Sequence, residues 1–147
     1  MKKLILAALF SALATVSTAE MVKVASPYSV SETLDRLTEV VTSAGAQVFA
    51  RVEHAKGAEK IGEELAPMAA LIFGKPELGT SALQADPLTG VVLPARVLAY
   101  EDADGQVWLV YENPADMFAQ FDLPADAPVI GQMTHVLAAL TGQAVAE

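Results

Sequence analysis

Apolar positions along this chain change period several times, and each change marks an element. Met21 to Ala25 reads as a short strand with Val22 and Val24 on one face, ended by Pro27. Ser29-Val30-Ser31-Glu32 has the form of a capping box, in which the Ser29 hydroxyl accepts from the Glu32 N–H. The helix it opens carries Val30, Leu34, Leu37, Val41 and Ala44 on one stripe, and Gly45 stands at its left-handed exit. Gln47 to Glu53 then alternates, Val48, Ala50 and Val52 against Gln47, Phe49, Arg51 and Glu53, as a second strand.

Ala55 to Leu65 follows as a short helix with Ala58, Ile61 and Leu65 inward, stopped by Pro67. Met68 to Phe73 is an unbroken apolar run, the pattern of a strand covered on both faces. Pro76 suits the first turn of a helix that reaches about Ala85. Ala95 to Glu101 and Gln106 to Glu112 read as a hairpin. Between them, Asp102-Ala103-Asp104-Gly105 fits a type I turn with Gly105 in a left-handed bulge. Asn113-Pro114-Ala115-Asp116 reads as a further helix start, an Asn cap followed by Pro at the first helical position. A last helix from Val129 to Ala144 places Val129, Met133, Val136 or Leu137, and Leu140 inward.

The order β-α-β-α-β-α-β-β-α with one tight hairpin excludes an all-parallel doubly wound sheet. It predicts an α+β two-layer sandwich: a mixed sheet of about five strands with helices mainly on one face. Residues 20–128 form a single domain, and 129–147 a C-terminal helix and tail.

The first nineteen residues read differently. Lys2 and Lys3 precede thirteen small or apolar residues, Leu4 to Val16, and Ser17-Thr18-Ala19 offers small residues for cleavage before Glu20. That is the three-part pattern of a Sec-type bacterial signal peptide, shorter than the roughly 20 residues of a spanning helix. The expected address is periplasmic or secreted, with no membrane span after cleavage. The chain has no cysteine, so neither a disulfide nor a cysteine-linked lipid is available. Eighteen acidic against nine basic residues give a net charge of −9, and loss of Lys2 and Lys3 makes it more acidic. Such a surface keeps an exported protein in solution and argues against nucleic acid, which demands a basic footprint.

Candidate chemistry is sparse. His54 and His135 are the two histidines. A haem or divalent-metal site using His54 would recruit Met68, His135 or a carboxylate, whereas zinc usually takes three or four ligands. Phe73-Gly74-Lys75-Pro76 leads a strand through glycine into a helix, a turn able to face an anion but without phosphate-loop spacing. Counted from Asp102, the twelfth position of a calcium loop is Asn113 where a bidentate Glu is required. Gly79-Thr80-Ser81-Ala82-Leu83 is not a nucleophile elbow. Tyr100, Trp108 and Arg96 fall on one face of the hairpin, as an interface, a pocket or core.

A series of short matches in register completes the reading. Gly45-Ala46-Gln47-Val48-Phe49-Ala50-Arg51, Glu53-His54-Ala55, Phe73-Gly74-Lys75-Pro76, Leu93-Pro94, Tyr100-Glu101-Asp102 with Gly105, and Tyr111 with Asn113-Pro114 resemble the domain-of-unknown-function 302 family from about Met21 to Phe118. The resemblance implies a two-layer α+β fold and a tendency to form homodimers, with no established activity to transfer. The expectation is a non-enzymatic module that binds a small ligand or a partner, as a homodimer. Its expected rim is His54, Phe73, Gly74 and Tyr100, with no catalytic residues and no cofactor. The alternatives are a haem- or metal-handling protein using His54 and an enzyme of unrecognised type.

Overall fold

The computed structural model describes residues 19–147, so the expected leader, all but its last residue, falls outside the described residues. The chain runs β1 (Met21–Ser26), α1 (Val30–Ser43), β2 (Gln47–Val52), α2 (His54–Glu59), β3 (Met68–Gly74), α3 (Pro76–Ala85), a 3-10 turn (Pro87–Val91), β4 (Ala95–Glu101), β5 (Val107–Glu112), α4 (Pro114–Phe118) and α5 (Pro128–Ala144). The strands form one sheet in the order β1-β5-β4-β3-β2. The α+β class, the five strands and the order of elements along the chain are those read from the sequence.

The expected mixed pairing is corrected: every neighbouring pair is antiparallel. Helix length explains this. The six residues of α2 span about 9 Å, less than half the length of the strands it joins. The chain therefore re-enters the sheet at the end it left. Of the helices that connect two strands, α1, with fourteen residues, is the one long enough to return along the sheet, and it joins strands at opposite edges.

Alternation sorts the faces. Leu71 and Phe73 on β3, Val97 and Ala99 on β4, and Val107, Leu109 and Tyr111 on β5 are buried beneath the helices. The opposite face carries Ala70, Ile72, Leu98 and Val110, all half-buried and outside the buried core. The β3 run is thus covered on one face only, not on both. From above, α1 contributes Val30, Leu34, Leu37 and Val41 to the core, while Ala44 lies past the last turn and is exposed. Ser29 caps α1 as expected, its hydroxyl accepting from Glu32 N–H at 3.2 Å. In α5, Val129, Met133, Leu137 and Leu140 join the same core, and Leu137 rather than Val136 is the buried one of the pair.

Two local readings are also corrected. β2 bulges between Val48 and Ala50, so Val48 and Arg51 oppose the inner-face residues Phe73 and Leu71, whereas Ala50 and Val52 oppose Ile72 and Ala70. Phe49, at the bulge, is 52% exposed. Arg51 uses its new orientation to reach α1, donating to Asp35 Oδ1 at 2.6 Å and to Ser31 Oγ at 3.2 Å. Its Nε lies 2.8 Å from Glu53 Oε1, a charge contact without hydrogen-bond alignment. α2 stops at Glu59 because Gly62 adopts φ +79, closing the helix with a Glu63 N–H to Ala58 carbonyl bond. Ile61 and Leu65 are consequently 77% and 53% exposed.

Polar contacts secure the ends. Inside the β1–α1 corner, the Ser26 and Thr33 hydroxyls lie 2.6 Å apart, both residues buried, with Tyr28 N–H donating to Ser26 at 3.2 Å. Arg36 stacks over the Tyr28 ring at 4.1 Å and donates to the Ala144 carbonyl at 2.8 Å and to the Ala146 carbonyl, at the end of α5. At the start of the domain, Glu20 N–H donates to Asp116 Oδ2 at 2.9 Å and its carbonyl accepts from Asn113 N–H at 2.8 Å.

Candidate functional site

Beyond the C-terminal end of β3, α3 and α5 diverge and leave a groove of about 650 Å³, within the range of small-ligand pockets. One wall is α3, through Leu78, Gly79 and Leu83; the other is α5, through Met133, Val136, Leu137 and Leu140. Phe73, Leu93, Pro94 and Ala95 line the sheet side, and Ala44, Ala46 and Phe49 the end below α1. The only buried side chain of α3 is Ala82, so Leu78 and Leu83 spend their apolar surface on the groove rather than on the core. Charge enters at two residues, Lys75 and Glu77.

Gly74 sets the closeness of one corner. A Cβ there would lie 3.3 Å from Pro94 Cβ and 3.6 Å from Phe49 Cε2, so the absent side chain lets the proline and phenylalanine close over the strand end. The Leu93–Pro94 peptide that brings the proline there is cis.

Of the residues expected at a common rim, Phe73 and Gly74 line the groove, and His54 and Tyr100 do not. Strand register is the reason. Phe73 pairs with Ala95 at one end of β3, whereas Tyr100 pairs with Met68 at the other, and its side chain belongs to the open face. His54 opens α2 just after Val52, which pairs with Ala70, so it also belongs to the far end; its side chain is exposed. Among the described residues no group of three or more His, Asp or Glu side chains is disposed to hold a metal ion.

The open face carries its own polar cluster. Tyr100 and Trp108 are cross-strand partners, and Lys23 lies over both rings, 5.3 Å and 4.9 Å from their centroids. Trp108 Nε1–H donates to Asp102 Oδ2 at 2.8 Å, while Asp102 Oδ1 accepts from the Asp104 and Gln106 N–H groups. These bonds, that from Trp108 first, hold the Asp102 carboxyl below the usual carboxylate range. Gly105 has φ +79, completing the turn as expected. On the helix side, burial raises the Tyr111 hydroxyl above its ordinary value, partly offset by the neighbouring Thr141 hydroxyl.

Sequence reasoning missed Phe49, Leu93, Met133 and Val136 as groove residues. A usable signal was the width of the α5 stripe: Val129, Ile130, Met133, Val136, Leu137 and Leu140 cover more of that helix than one core contact requires.

Comparison with known proteins adds the following. Residues 22–140 match the protein-family model described as Domain of unknown function DUF302. A crystal structure titled as an uncharacterized conserved protein DUF302 from Bacillus stearothermophilus superposes with a TM-score of 0.77 at 21% identity, covering 84% of this chain and 97% of that one. Two curated relatives, Fluoride-specific ion channel FluC 1 of Brucella suis biovar 1 and FluC 2 of Brucella melitensis biotype 1, are each 41% identical over 103 residues. That is 70% of this chain but 41% and 38% of theirs, so the chain spans about two-fifths of their length. No helix among the described residues is long and apolar enough to cross a membrane.

Proposed function

Because this chain belongs to the family described as Domain of unknown function DUF302, whose matched region takes in both walls of the groove, we propose that it is an exported, non-enzymatic module that binds a small apolar ligand between α3 and α5. One observation carries the reading: a groove of about 650 Å³ whose walls are almost wholly aliphatic, on a helix that buries little else. Aliphatic surface left facing water is a standing cost, and an apolar ligand removes it. Phe73 and Gly74 are retained as contact residues. The fluoride-channel name stays with the longer relatives, since this chain accounts for the smaller part of their length.

The test is titration with N-phenyl-1-naphthylamine, a neutral fluorophore that brightens in apolar surroundings. The wild-type chain is expected to saturate. Gly79→Leu, which projects an isobutyl group into the groove from α3, is expected to abolish the signal while leaving the thermal midpoint unchanged or higher, since leucine favours helix by about 1 kcal/mol over glycine. Absence of binding by the wild type would sink the reading.

Export rests on the Lys2–Ala19 pattern, and N-terminal sequencing of protein from a periplasmic fraction should begin at Glu20. The homodimer belongs to the same proposal, with the open sheet face as its contact: Ala70, Ile72, Leu98 and Val110 form an uncovered apolar patch across three adjacent strands. Sedimentation should give a dimer for the wild type and a folded monomer for Leu98→Glu. A wild-type monomer at micromolar concentration would contradict it.

A further inference from the structure

We propose that the groove takes a single-chain fatty carboxylate, its head paired with Lys75 and its tail lying between α3 and α5. The inference rests on the small-ligand reading above and names the ligand class. Lys75 is the residue before α3, held in extended conformation, and its side chain caps nothing. The residue is half-buried, and among the described residues its side chain forms neither a salt bridge nor a hydrogen bond. Its Nζ reaches the α1 end of the groove, 3.7 Å from where a Cβ on Gly45 would stand. The carbonyls there do not use it: Thr42 and Val41 already accept from Gly45 and Ala46 N–H at 2.9 and 3.1 Å.

The Lys75 ammonium stands at the end of an aliphatic groove without a side-chain partner, and a carboxylate supplies the opposite charge and the acceptors for a charge-assisted hydrogen bond. The remaining polar liners do not compete. Glu77 is exposed in the first turn of α3, and the Thr80 hydroxyl is spent on the Pro76 carbonyl at 2.7 Å. One ammonium matches one carboxylate. The chain as a whole carries −9, so its overall field disfavours anions; a preference for an anionic head must arise at Lys75 itself.

The experiment is isothermal titration of the purified protein at pH 8 with dodecanoate and dodecyltrimethylammonium, each below its micellar concentration, and with dodecanol below its solubility limit. The wild type should bind dodecanoate about tenfold or more tightly than dodecyltrimethylammonium, the size of one charge-assisted hydrogen bond. Lys75→Met should lose about tenfold for dodecanoate and less than about twofold for dodecanol. Lys75→Arg should retain dodecanoate. Equal affinity for all three compounds, or loss of dodecanol along with dodecanoate in Lys75→Met, would overturn the carboxylate assignment while leaving an apolar-ligand site standing. Binding of none of them would remove both readings. Sedimentation with saturating dodecanoate closes the last route: conversion of dimer to monomer would give the groove to a second copy and overturn the proposal.

Discussion

Trp108 donates its indole N–H to the Asp102 carboxylate at 2.8 Å, so the side chain that begins the β4–β5 turn is bonded to a residue six positions later. The same carboxylate accepts two turn amides, and Lys23 lies over the Trp108 ring. Each of these favours the ionised acid, and the folded-state value falls below that of the unfolded chain.

A depressed carboxylate contributes stability that is fully present above its unfolded value, about 3.9, and is lost as pH falls through the lower folded value. Asp102→Asn should therefore lower the thermal midpoint near neutrality and reduce the loss of stability as pH falls below about 4. Trp108 is the single tryptophan, so its emission reports the bond directly. In the folded protein, emission should shift with acid in the wild type and stay flat in Asp102→Asn; an unchanged wild-type emission would show that the bond does not govern that titration.

Arg36 ties α5 to α1 by donating to two carbonyls at the helix end. Arg36→Ala leaves those acceptors to solvent and removes the guanidinium from the Tyr28 ring, and should cost about 1–2 kcal/mol in urea unfolding. Lysine cannot reproduce a planar donor stacked on a ring, so Arg36→Lys should recover less than half of the loss. Hydrogen exchange in the last turn of α5 should quicken in both variants, and unchanged exchange would count against the clamp.

Gly74→Ala tests the corner between Pro94 and Phe49. The added methyl would stand 3.3 Å from Pro94 Cβ, close enough to push the proline aside. The expected outcome is a loss of about 1 kcal/mol, the low end of overpacking, together with weaker binding of a groove ligand. A variant as stable as wild type with unaltered binding would show that Pro94 yields freely.

Thr33→Val keeps the shape of a buried side chain and removes its hydroxyl. Ser26 then lacks its 2.6 Å partner inside the β1–α1 corner. The predicted cost is about 1–3 kcal/mol, that of leaving one buried hydroxyl short of a hydrogen bond. The paired change with Ser26→Ala should cost less than the sum of the two single changes.

What could be read in advance was local. The Asp102–Gly105 turn, the Ser29 and Asn113 caps and the start of α3 at Pro76 depend on residues a few positions apart, and each appears where its residues stand. The β2 bulge was hidden because Gln47 to Val52 alternates equally well with or without a skipped residue, and only pairing to β3 decides which side Arg51 takes. α2 was read too long because its apolar spacing continues through Gly62, whose left-handed backbone ends the helix. Phe73 and Gly74 were legible as candidates because a strand meets a helix there. The groove was not, since α3 and α5 meet across it some fifty residues apart. His54 and Tyr100 were drawn to the same rim by residue type, and strand register sends them to the opposite end of β3.

The Glu20–Asp116 contact changes character with the proposed export. In the uncleaved chain, the nitrogen 2.9 Å from Asp116 Oδ2 belongs to a neutral peptide group. In the form that begins at Glu20, that same nitrogen is the α-ammonium group, and the hydrogen bond becomes an ion pair anchoring the new terminus to the first turn of α4. Processing would thus strengthen the domain as well as release it: a neutral hydrogen bond in the precursor becomes a charged latch in the mature protein, beside the first edge strand.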